Sequence, residues 1–236
     1  MCGRYTLAGT DPSQLRARWP IGERLEVRRR FNVAPGDDVL AVVQRPAASD
    51  GGVAGGPQGT LLRWGLVPFW AADPTQLGVK TINARAETVA ERPAYRDAFE
   101  SRRCLILADG FYEWSGGVAH WITRPDGEPF AFAGLWASWR PKGADRDVEP
   151  LRSCSIVTTA AAGPVRSLHD RMPVILAGAA HEALWIGAAT PAGELHALCR
   201  PESAPRLQLR PVSRAVNDAR YDGPECLDPP EQASLF

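Results

Sequence analysis

Short apolar and β-branched runs, each ended by a turn signal, limit what this chain can fold into. Residues 39–43, 61–67, 104–107, 130–136, 155–158 and 173–176 are such runs, and each reads as a strand. Helix signals are fewer. Asp11-Pro12-Ser13-Gln14 offers an N-cap, a first-turn proline and a capping glutamine, opening a helix that runs to about Trp19. Ala94, Tyr95, Ala98 and Phe99 recur at helical spacing after Pro93, and residues 180–186 and 193–199 are two further short candidates. Residues 47–60 are rich in Gly, Ala and Ser and predict a mobile loop between two strands. Residues 140–150 predict a second polar loop, and the tail after Tyr221 is expected to be loosely held. The expected fold is α+β: a single domain of curved, mostly antiparallel sheets around a barrel-like core, with a few peripheral helices. That domain is expected to span residues 2–222, with 223–236 as a C-terminal tail.

A chain of 236 residues can bury a real core, and 44% hydrophobic with 23% charged residues is ordinary for a globular protein. No stretch approaches the roughly 20 apolar residues that span a bilayer, so no membrane contact is expected. The N-terminus lacks an apolar signal region, which argues against export and for a cytoplasmic protein. Cys2, Cys104, Cys154, Cys199 and Cys226 are odd in number and widely spaced, which predicts reduced thiols. His196 and Cys199 form a lone H-x-x-C, too little for zinc, and no metal or cofactor is expected. Formal net charge is zero, so the overall field does not announce a nucleic acid. Of the 27 lysines and arginines only Lys80 and Lys142 are lysines. Arginine suits bidentate phosphate contacts, but a GC-rich, bacterial genome produces the same bias.

Cys2 is the most unusual residue. Loss of Met1 leaves it carrying an α-amine and a thiol two carbons apart. The amine has a reference pKa of about 7.7–8.0, so part of it is neutral near pH 7, and the thiol follows near 8.5. A 1,2-aminothiol captures an aldehyde as an imine, which the thiol then closes to a five-membered thiazolidine, with intramolecular effective molarity favouring closure. Alone, a cysteine at position 2 is usually incidental.

Further segments change that weighting. Met1–Tyr5 is followed by Phe31-Asn32-Val33-Ala34-Pro35-Gly36 and by Arg63-Trp64-Gly65-Leu66-Val67-Pro68-Phe69-Trp70. Then come Ile82-Asn83-Ala84-Arg85-Ala86-Glu87-Thr88, Ala108-Asp109-Gly110-Phe111-Tyr112-Glu113-Trp114, Leu168-His169-Asp170-Arg171-Met172-Pro173 and Pro211-Val212-Ser213-Arg214-Ala215-Val216-Asn217. In this order and spacing the set closely resembles the SRAP family, the SOS-response-associated peptidase-like proteins that cross-link to abasic DNA. Each motif is modest and the ordered set is highly specific.

The resemblance implies an SRAP-like fold and a sensor and shield of abasic sites in single-stranded DNA, acting in DNA repair at replication-associated gaps or junctions. It implies a monomer near the nucleoid. Cys2 matches the cross-linking nucleophile, Asn83 the active-site asparagine, Glu113 the catalytic glutamate and His169 the histidine. Arg4, Arg85 and Arg171 match phosphate contacts, Asn32, Pro35 and Trp70 match residues lining the DNA path, and Thr159 matches a backbone contact. Arg210, where many members carry histidine, and Phe69, where a smaller residue is common, depart from the pattern. The residue types fit the chemistry independently: opening a closed abasic sugar needs a general acid, and a partly desolvated Glu113 past an Asp-Gly turn suits that role. His169 can move a proton at neutral pH. Plain alternatives stand beside these: a solvated strand-end carboxylate for Glu113, a histidine bonded to Asp170 or a carbonyl for His169, a turn asparagine for Asn83, and an Arg85–Glu87 surface pair. A conventional lyase would use a lysine imine, and Lys80 alone lies near a motif. Two other functions compete: a cysteine peptidase, autoprocessing included, built on Cys2 and His169 with Asn83 or Glu113, and a non-catalytic single-strand-binding module.

Overall fold

The computed structural model describes residues 2–9, 11–45, 55–145 and 147–231. Within them the strands are, in chain order, β1 (Tyr5–Leu7), β2 (Arg30–Val33), β3 (Asp38–Arg45), β4 (Gly56–Trp64), β5 (Asn83–Arg85), β6 (Arg103–Ala108) and β7 (Gly110–Ser115). They continue as β8 (Val118–Thr123), β9 (Phe130–Trp139), β10 (Leu151–Ala160), β11 (Arg171–Pro173), β12 (Ile175–Leu176) and β13 (Gln208–Val212). The helices are α1 (Pro12–Arg18), α2 (Pro74–Gly78), α3 (Arg96–Ser101), α4 (Ala179–Ile186) and α5 (Ala192–Leu198).

The continuous apolar runs become strands buried on both faces, which is why they lack alternation. Val39, Ala41 and Val43 of β3, with Cys104, Ile106 and Ala108 of β6, face a cluster that also holds Tyr5, Phe111 and Ile122. The alternate positions Leu40, Val42, Leu105 and Leu107 face a cluster shared with Leu15, Phe99, Trp185 and Leu195 of the helices. Sheet order is β10-β4-β3-β6-β9, and β9 pairs back onto β10, closing a barrel. Every pairing in that ring is antiparallel except β4 with β10. The second sheet is antiparallel, in the order β13-β8-β7-β1-β2. The α+β architecture and barrel-like core are therefore as expected.

The end of β10 positions the site. β4 accompanies it through Cys154, and β5 then takes over the same edge, pairing Asn83 with Ile156 and Arg85 with Thr158. On the other edge β11 pairs Arg171 with Ala160 and Pro173 with Thr158, and β12 crosses to β9.

Several expectations need correction. Residues 56–60 belong to β4, paired with β3 in register from Arg45↔Gly56 onward, although their composition reads as loop. The rest of that expected loop, 46–54, lies outside the described residues. The same strand ends at Trp64, not at residue 67, because Gly65 turns the chain at φ 130°. The segment after Tyr221 is not loosely held as far as residue 228. Cys226 is fully buried, the Asp222 carboxylate accepts the backbone N–H groups of Phe31 and Asn32, and Ser213 N–H donates to Asp228 O. Residues 232–236 lie outside the described residues. Asp109-Gly110 is not a tight turn but the bend by which the chain leaves the barrel at β6 and enters the second sheet at β7. The helix at Asp11 forms with its full capping box, and those near 180 and 193 begin within a residue of expectation.

Candidate active site

Cys2 reaches the site on a short arm that enters β1 and runs antiparallel beside β7. Tyr5 pairs with Phe111 and Thr6 with Gly110, and Tyr112 N–H donates to Arg4 O at 3.0 Å. The same register extended by two residues sets Gly3 opposite Glu113. Asp109 fastens this pairing. Its buried carboxylate accepts from Thr6 Oγ1 at 2.5 Å and from the N–H groups of Ala8 and Gly9 at 2.6 and 2.5 Å. Gly110 is required beside it, since a Cβ there would lie 2.2 Å from Trp121 Nε1. The sequence reads Asp109 as a turn residue; its place directly after the apolar run 104–108 was the available signal.

Cys2 is fully buried, and its thiol points to Arg4 O at 3.8 Å. Burial pushes the thiol pKa well up, and the field of Glu113 adds to the shift. Glu113 is 3% exposed, and burial raises its carboxyl as well, opposed by nearby positive charge including that of His169. From the barrel end, Asn83 Nδ2 donates to Cys2 O at 2.8 Å. Tyr95 OH donates to Asn83 O at 3.0 Å and so holds β5 from behind, a contact that helical spacing alone does not reveal. Asn83 Oδ1 is buried with no hydrogen-bond partner among the described residues. A buried acceptor left in that state costs about 1–3 kcal/mol, which makes it a natural receptor for an incoming N–H or hydroxyl.

His169 Nδ1 lies 2.8 Å from both Arg171 N and Asp170 Oδ1. The first contact needs a lone pair on Nδ1 and the second needs a proton there. The neutral Nε2–H tautomer satisfies the contact with Arg171 N–H. The fold thus draws Cys2, Asn83, Glu113 and His169 from four separate segments, with Asn83 bonded to Cys2 O, Cys2 in the field of Glu113, and Glu113 in the field of His169.

The expected DNA-contacting residues are placed less uniformly. Arg85, Pro35 and Trp70 are exposed, Trp70 at 46% and its neighbour Phe69 at 59%. Arg171 is held: Glu87 grips its two terminal nitrogens at 2.5 and 2.9 Å, and it donates to Thr158 O at 2.7 Å. Arg4 Nη1 donates to Asn32 Oδ1 at 2.8 Å and to Val216 O at 2.9 Å. Asn32 and Thr159 are buried at 1% and 5% exposure. Trp64 is a core residue, its indole N–H on Ile82 O. Cys104 and Cys154 are fully buried thiols with raised pKa. Among the described residues no group of three or more His, Cys, Asp or Glu side chains could hold a metal ion, and no helix is long and apolar enough to cross a membrane.

A barrel packed against a second antiparallel sheet, with an arm carrying a cysteine at position 2 bonded to an asparagine and set near a buried glutamate, defines a distinct class of α+β protein. The chain belongs to the SRAP family: residues 1–219 match the model of the family described as SOS response associated peptidase. It is similar to the abasic site processing protein YoaM of Bacillus subtilis, 36% identical, with 97% of this chain and 98% of that one aligned. It is also similar to the abasic site processing protein HMCES of Gallus gallus, 35% identical over 72% of this chain and 57% of the relative. A crystal structure of a protein from Bordetella bronchiseptica superposes with a TM-score of 0.70 at 27% identity, covering 90% of this chain and all of that one. One from Bacteroides thetaiotaomicron reaches 0.77 at 21% identity, covering 97% and 99%, and shares the fold.

Proposed function

We propose that this protein processes abasic sites in single-stranded DNA by sealing them as a covalent adduct on Cys2, once Met1 has been removed. The observation that carries this reading is Asn83 on the Cys2 carbonyl, with the buried Glu113 carboxyl in reach of the fields of Cys2 and His169. The names of the relatives, abasic site processing proteins, support the substrate class.

In this reading the protonated Glu113 gives its proton to the ring oxygen of the closed sugar while the C1 hydroxyl loses its proton to water, which opens the ring and releases the aldehyde. The Cys2 amine attacks the aldehyde carbon, and the carbinolamine loses water to form an imine. The thiol passes its proton to the Glu113 carboxylate, and its sulfur adds to the imine carbon while nitrogen takes up a proton, closing the thiazolidine. One water leaves and nothing is oxidised or reduced. Asn83 fixes the Cys2 carbonyl and offers Oδ1 to the amine, and His169 serves the opened sugar. β-Elimination from the imine would give associated lyase activity. Arg85, Trp70 and Pro35 supply the exposed part of the strand path, with bases stacking on Trp70 for about 1–3 kcal/mol each.

The test is to mix purified protein with an oligonucleotide carrying one abasic site, and to follow it by denaturing gel and intact mass. A stable adduct should form without borohydride, in protein lacking Met1, and should vanish in Cys2→Ala. Fully processed protein that yields no adduct would overturn the reading. The peptidase in the family description supports a second reading, in which Cys2 and His169 release Met1 from the chain itself. Here Cys2→Ala would retain Met1 when expressed without a methionine aminopeptidase and the wild type would not.

A further inference from the structure

A chain of hydrogen bonds runs from the C-terminal segment to the nucleophile, and part of it lies beyond residue 219, where the family match ends. Asn32 is its hub. The Asn32 Nδ2 group donates to Val216 O at 3.2 Å, Asp218 O at 2.9 Å and Tyr221 O at 2.8 Å. Asn32 Oδ1 accepts from Arg4 Nη1, which also donates to Val216 O. Asp222 secures the same knot from below, taking Phe31 N at 2.6 Å and Asn32 N at 2.7 Å on one oxygen and Arg30 Nε on the other. Cys226, fully buried beside Tyr112, Val212 and Val216, anchors the segment to the second sheet. Arg4 stands two residues from Cys2, and its carbonyl receives both Tyr112 N–H and the Cys2 thiol.

We infer that residues 216–222 form a strap that sets the position of Cys2, acting through the positioning residues Asn32 and Asp222 and the side chain of Arg4. The arm bearing Cys2 pairs with β7 at Tyr5 and Thr6 and with β2 at Tyr5 and Leu7, so all of these pairs lie on the far side of Arg4 from Cys2. A charged guanidinium held on two acceptors in a half-buried place adds a side-chain constraint at Arg4 to the hydrogen bonds on Arg4 O and Cys2 O. Asn32 then acts on the reaction without touching DNA: its side chain is spent within the protein. This inference rests on the abasic-site reading.

The experiment measures, for wild type, Asn32→Ala, Asp222→Ala and Asp222→Asn, the rate of adduct formation at saturating abasic oligonucleotide and the affinity for undamaged single strands. Folding is checked by thermal unfolding. The strap predicts that both alanine variants lose at least tenfold in the rate at saturation. It predicts that affinity for undamaged strands stays within twofold, and that Asp222→Asn, which keeps the acceptor for the two N–H groups, recovers most of the rate. Asp222 is partly exposed, so its variants carry the test if Asn32→Ala does not fold. Folded variants with an undiminished rate, or a loss confined to affinity, would overturn the strap alone. A wild type that forms no adduct would overturn the abasic-site reading and the strap with it.

Discussion

Burial raises the Glu113 carboxyl above the ordinary carboxylate range, so the folded chain takes up its proton at a higher pH than the unfolded chain does. A raised pKa of this kind contributes stability that is full below the unfolded value and is lost as pH rises through the folded one. Glu113→Gln keeps the shape and removes the ionisation. Its Tm should exceed that of wild type above the raised pKa, and the difference should shrink towards acid pH. Its rate of adduct formation should fall roughly 100-fold, the usual contribution of a positioned general acid. A Tm difference that ignored pH would show that ionisation of Glu113 is not its source. Arg85 makes a contrasting residue, exposed on β5 with its Cα paired to Thr158. Arg85→Ala should lower the slope of log affinity against log salt by about 0.7 for single strands, as loss of one phosphate contact does. An unchanged slope would remove Arg85 from the DNA path.

The connection after β4 shows how an element boundary fixes an exposed loop. Gly65 turns at φ 130°, and a Cβ there would sit 2.4 Å from Gly78 O, backbone against backbone. The loop carrying Phe69 and Trp70 leaves from this point, fixed by Gly65 N–H on Cys154 O at 2.9 Å and Val67 N–H on Ser153 Oγ at 2.8 Å. Gly65→Ala should cost about 3 kcal/mol by strain and overpacking, read as a shift in urea midpoint at constant slope. Strands such as β6 and β9 were legible because both faces are buried and their runs 104–107 and 130–136 are apolar throughout. Strands β7, β8 and β13 were not, since polar residues interrupt them and their apolar positions are divided between the shared core and one small separate cluster. The first half of β4 looked like loop because its residues are Gly, Pro, Gln, Gly and Thr with none buried, and only pairing with β3 makes it a strand.

At the scale of the whole molecule, the barrel and the second sheet share one core. Phe111 and Ile122 of the second sheet lie in the same cluster as Ile106, Phe132 and Cys154 of the barrel, and Tyr5 packs edge-on to both Trp64 and Phe132. The two sheets should therefore unfold together. Phe111→Ala should lower stability by about 3–5 kcal/mol while near- and far-ultraviolet dichroism still report one coincident transition. Separate transitions would mean two cooperative units.

What the sequence by itself determined is the apolar patterning of the barrel, the capped first helix and the ordered motifs that carry Cys2, Asn83, Glu113 and His169. Local periodicity and chemical type record these, because burial and reactivity select residues one position at a time. Tertiary structure alone decided how each polar side chain is spent. Arg4 and Asn32 turn inward to the C-terminal segment, Glu87 takes the fork of Arg171, and Asp109 clamps β1 to β7. The reason is physical: a buried donor or acceptor must find a partner, and here those partners lie as much as 212 residues away along the chain.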